Sequence, residues 1–153
     1  MGRSLSPYET DFVAWSQEQA AALRQAAELR LNMPVDWLNV AEELDSMGRS
    51  DKHAIESHLV GIVEHLLKLR ASPAAEPRRL WENSVDHHRH RARRLLSQSP
   101  SLRPHLTAVF AECWEDGRDL AVRGLLRDGL ADADLPAGCP YTLEQCLDVE
   151  WWG

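Results

Sequence analysis

Apolar residues recur three and four positions apart almost from end to end of this chain, and no stretch alternates β-branched with polar residues as a strand would. That periodicity is the strongest constraint on the fold, because a chain of helical stripes can bury them only against other helices. Caps and breakers then set the expected boundaries. A short helical turn is expected near Thr10, and Ser16 with Gln19 reads as a capping box for a helix running to about Leu31. Pro34 breaks the pattern. Asp36 caps a second helix over about Trp37 to Met47, with Trp37, Val40, Ala41, Leu44 and Met47 as its stripe and Gly48 as its end. Ser50 opens a third helix reaching about Arg70, whose stripe of Ile55, Leu59, Ile62, Leu66 and Leu69 is the widest in the chain and predicts the most buried element.

After a linker at Ser72 to Pro77, a fourth helix is expected over about Arg78 to Ser97, with Trp81, Val85, Ala92, Leu95 and Leu96 on one side. Ser99 followed by Pro100 reads as an N-cap with proline at the first helical position. The long helix it opens ends near Gly129 and shows Leu106, Phe110, Cys113, Leu120 and Ala121 on one face. Gly117 and Gly124, seven residues apart, predict a closely approaching partner helix. A loop over Asp132 to Pro140 follows, and Thr142 with Gln145 forms a capping box for a short terminal helix. The predicted fold is all-α: one domain over residues 1–153, a helical bundle of four main helices with short N- and C-terminal helices.

Hydrophobic residues at 44% are enough for a core in a chain of 153 residues, while a net charge of -7 opposes nucleic-acid binding by the surface as a whole. No apolar run reaches the ~20 residues a bilayer span needs, and Met1 to Pro7 lacks the apolar core of a signal peptide. Cys113, Cys139 and Cys146 form neither a disulfide framework nor a zinc ribbon spacing. A cytoplasmic protein without membrane association is expected.

Several segments in order carry a resemblance. They are Tyr8-Glu9-Thr10-Asp11-Phe12 with Trp15, Ala41-Glu42-Glu43-Leu44-Asp45-Ser46-Met47-Gly48-Arg49-Ser50, His65-Leu66-Leu67-Lys68, Trp81, Ser99-Pro100-Ser101-Leu102, and Cys139-Pro140-Tyr141-Thr142-Leu143-Glu144-Gln145. From about residue 8 to residue 147 the chain resembles a bacterial family known as a domain of unknown function, number twenty-nine in its series. The resemblance implies an all-helical bacterial protein and names no activity. Where that family usually reads Glu-Gln-Arg after the tryptophan of the fourth helix, this chain has His87-His88-Arg89. Any role of the two imidazoles is therefore its own.

Three features could carry function. His58 and His65 share a face of the third helix, Glu43 edges the second stripe, and Arg89 and Arg91 border the fourth, with His88 within it. If the helices pack accordingly, Glu43, His58, His65, Arg89 and Arg91 form a polar cluster. It would serve either as a satisfied polar core or as a metal or acid–base site. Against the metal reading, neither Glu-x-x-His nor His-Glu-x-x-His occurs. No cofactor is expected; a divalent metal at this cluster is the alternative. The second feature is the basic helix over residues 78–94, with six arginines against Glu82 and Asp86. It suits an acidic protein partner, which could be another copy of the chain, better than nucleic acid, because stacking aromatics are missing from that face. The third is a set of six tryptophans, of which Trp15, Trp37, Trp81 and Trp114 fit the core, while Trp151 and Trp152 dock back or meet another subunit. A protein-interaction module, self-associating into a dimer in one form, is the expected function. The alternatives are a small metal-dependent or acid–base enzyme, and nucleic-acid or anion binding by the basic helix over residues 78–94.

Overall fold

The computed structural model describes residues 4–130 and 134–153, so Met1 to Arg3 and the start of the loop expected at Asp132 lie outside the described residues. Six helices follow one another, with no strand among the described residues: α1 (Pro7–Thr10), α2 (Phe12–Glu28), α3 (Trp37–Ala71), α4 (Ala75–Gln98), α5 (Leu102–Arg127) and α6 (Leu143–Leu147). Four are long and the terminal two short, as the periodicity predicts.

The largest difference from the expectation is at Gly48. The second and third expected helices are one continuous α3, about 52 Å long at 1.5 Å per residue. Gly48 does not end a helix; it lets α2 approach. A Cβ there would lie 2.6 Å from Ser16 Oγ. Ser16 likewise caps nothing. It is buried inside α2, donating to the Val13 carbonyl at 2.8 Å, and the helix starts earlier on Asp11, whose carboxylate accepts from Ala14 N. Glycine at the end of α5 is a genuine terminator: Gly129 takes φ +82° and Leu130 N returns to the Leu125 carbonyl.

α3 is the mast on which the others lean. Its buried residues Ile55, Leu59, Ile62, Val63, Leu66, Leu67 and Leu69 form the core with Trp81 and Val85 of α4 and Leu106, Cys113, Trp114 and Ala121 of α5. α4 and α5 flank α3 and barely touch each other. Gly117 brings α5 in, since a Cβ would stand 2.7 Å from Val63 Cγ1 and 3.0 Å from the Val60 carbonyl oxygen. Pro77, expected in a linker, sits in the first turn of α4, as Pro104 does in α5, where no backbone acceptor is missed. Leu120, assigned to the apolar face of α5, is 43% exposed.

Ser99 caps a different helix from the one its sequence neighbours suggest. Its hydroxyl accepts from Val13 N of α2 at 3.1 Å, while Asp11 accepts from Ser101 N at 2.6 Å and from Ser101 Oγ at 2.8 Å. The N-termini of α2 and α5 are thus cross-capped, which ties the start of the chain to its middle. The α6 capping box stands as expected, with Thr142 and Gln145 exchanging both hydrogen bonds.

Candidate functional site

Continuity of α3 decides the fate of the expected cluster. Glu43 and His58 are fifteen residues apart in one straight element, hence about 22 Å apart along its axis. Glu43 is exposed and never reaches the imidazoles. Arg91 is also exposed, lining a shallow hollow with Ala54, His58, Arg94, Leu95 and Gln98. Arg89 turns the other way. It is completely buried and lies within the α4 stripe rather than at its border. Its Nε donates to the Cys146 carbonyl at 2.8 Å, and Nη2 donates to the carbonyls of Trp151 at 2.8 Å and Gln145 at 3.3 Å. The Trp152 ring covers the guanidinium at 5.1 Å. Arg89 is therefore the anchor of the C-terminal segment, and its burial lowers the guanidinium from its ordinary value.

The residues that do converge are three histidines. His58 Nδ1 and His88 Nδ1 are 3.0 Å apart, and the His65 and His88 rings are 6.0 Å apart. Gly61 makes the room: a Cβ there would fall 2.5 Å from His88 Nε2. His65 donates from Nδ1 to the Gly61 carbonyl at 2.7 Å. Between His58 and His88 one ring donates and the other accepts, so the contact needs at least one unprotonated Nδ1. Burial, then the nearby His58, His65 and His87, pull His88 down to about 4, although Glu64 acts in the opposite sense. His58 is lowered too, by burial first and then by His87 and Arg91. Among the described residues no group of three or more His, Cys, Asp or Glu side chains is arranged to hold a metal ion.

Beside these histidines a groove of about 620 Å³ runs along α3 and α5, lined by Gly61 and His88 together with Glu56, Glu64, Glu112, Asp116 and Asp119 among others. Glu56 accepts from or pairs with His105 Nε2 at 2.6 Å. Cys113 borders the groove, but burial pushes its thiol up to about 11, and Cys146 is pushed to about 12. Neither is a ready thiolate.

The remaining surface of note is the arm. The hydrogen bonds that join α3 to α4 and α5 fall at Glu56, His58 and Leu69, whereas nearer its start Glu42 and Asp45 pair with Arg24 of α2 and Gly48 packs on Ser16 of α2. Val40, Met47, His58 and His65 follow at spacings of seven, eleven and seven, and therefore share one helix face. α4 covers that face at His58, whereas Val40 and Met47 remain 42% and 50% exposed. Sequence reasoning placed both in a buried stripe. Nearby Leu29, Leu31, Met33, Val35 and Leu38 are exposed as well.

No helix among the described residues is long and apolar enough to cross a membrane. A family model described as "Domain of unknown function DUF29" matches residues 7–152. A crystal structure of an alpha-helical protein of unknown function from Rhodospirillum rubrum is similar at 24% identity and a TM-score of 0.78, over 95% of this chain and 91% of that one. No curated protein matches the chain.

Proposed function

The chain belongs to the DUF29 family, and on that premise we propose that it is a protein-interaction module whose partner is a second copy of itself. What carries the reading is the uncovered continuation of the α3 face, where Val40 and Met47 stand open beyond the end of α4. Large apolar side chains left open along one helix face support an interaction site there. Charge selects the occupant. Residues 12–51, which make up the arm, hold seven carboxylates against three arginines. The outer side of α4 carries exposed Arg79, Arg91, Arg93 and Arg94 together with exposed Leu80. The arm of one copy against α4 of the other, repeated by a two-fold axis, pairs acidic with basic surface twice and closes on itself.

Sedimentation equilibrium tests the reading. A salt-sensitive dimer is expected for the wild type, and monomers that still fold by circular dichroism for Met47→Asp and for the double variant Arg91→Glu, Arg94→Glu. A monomeric wild type, or a dimer indifferent to both variants, overturns it.

A further inference from the structure

Where α3 ends and the C-terminal segment returns, a second cavity of about 580 Å³ is lined by Arg70, Arg78, Tyr141, Trp151 and Trp152, with Leu69, Pro140 and Gly153 completing it. None of its lining residues is among those assigned to the proposed dimer. We infer that this cavity is a binding site for a nucleoside monophosphate. The two guanidiniums set the charge of the ligand. Arg78 is held in place by donating from Nη1 to the Leu69 carbonyl at 2.9 Å, and its one carboxylate neighbour among the described residues, Glu82, stands 3.7 Å from Nε. Arg70 is exposed, lies beside the Tyr141 hydroxyl, and has no carboxylate within 4.0 Å among the described residues. Two arginines so little compensated match a phosphate dianion better than a single carboxylate. The rings set the rest of the ligand. Tyr141 and Trp151 meet edge to face at 5.2 Å, and Trp152 covers Arg89 yet stays 41% exposed, so an indole remains open for a base to stack on. The basic helix lacks aromatic partners in sequence; the returning C-terminal segment supplies them in space. The volume is that of an ordinary small-molecule site.

Isothermal titration of the full chain with adenosine 5′-monophosphate, adenosine, ribose 5-phosphate and inorganic phosphate tests the inference. One-to-one binding of the monophosphate is expected, with each fragment weaker by about tenfold or more, since both rings and guanidiniums contribute. Arg70→Gln and Trp152→Leu are each expected to weaken the monophosphate by about tenfold, and Trp152→Leu to leave phosphate binding unchanged. Circular-dichroism melting confirms that both variants fold, and Arg123→Gln, on α5, serves as the unaffected control. No binding of the monophosphate, phosphate binding as tight as the whole nucleotide, or affinity unmoved by both variants overturns the inference.

Discussion

Acidification is expected to weaken this fold through His88, and the size of the effect follows from its surroundings. In the unfolded chain a histidine titrates near 6.5; in the folded protein His88 is held at about 4, by burial first and then by His58, His65 and His87. The folded state therefore resists a proton that the unfolded state accepts. Stability from this group is complete above about pH 6.5, falls as the pH drops toward about 4, and falls no further below that. Between about pH 7.5 and pH 5 the unscreened loss is about 2 kcal/mol. His88 is only half-buried, so solvent screening reduces this to about 1 kcal/mol, or about 2–4 °C in melting temperature. The perturbation of choice is His88→Gln, which removes the titrating ring and keeps a polar group at the His58 contact. Urea unfolding of both proteins at the two pH values isolates the effect as a difference of differences. Wild type is expected to lose about 1 kcal/mol more than the variant on acidification. Equal losses would show that His88 titrates normally and that the packing argument around Gly61 is wrong.

Gly117→Ala and Gly124→Ala are expected to diverge in thermal melting. The first meets Val63 and the Val60 carbonyl and costs about 1–2 kcal/mol, whereas the second meets only the flexible end of Lys68 and gains up to about 1 kcal/mol of helix propensity. Arg89→Met strips donors from the carbonyls of Cys146, Gln145 and Trp151 and is expected to cost about 2–4 kcal/mol. Limited proteolysis then cuts first in the C-terminal segment. Asp11→Ala removes caps from two helices at once and is expected to cost about 2 kcal/mol by urea titration; a loss of a few tenths would mean that the Ser101 bonds contribute nothing.

Helical class, four long helices, the α6 capping box and the close approach at Gly117 and Gly124 were all legible in the sequence. Each depends on local spacing or on a residue whose missing side chain has a single use inside a helix. Glycine at 48 had two uses, and only tertiary structure decided between them. Read locally it ends a helix; with Ser16 of α2 pressed against it, the helix runs on and the glycine is the contact point. That one decision carried Glu43 about 22 Å from His58 and dissolved the expected five-residue cluster. The same holds for Ser99, which caps α2 across 86 residues of sequence, and for Arg89, whose carbonyl partners lie 56 to 62 residues away. Periodicity reports which face of a helix is apolar. It does not report how far a neighbouring helix extends along that face, and so it buried Val40 and Met47 that α4 stops short of covering. Sequence determines what each segment can bury; the lengths and crossings of the packed helices decide what is left open.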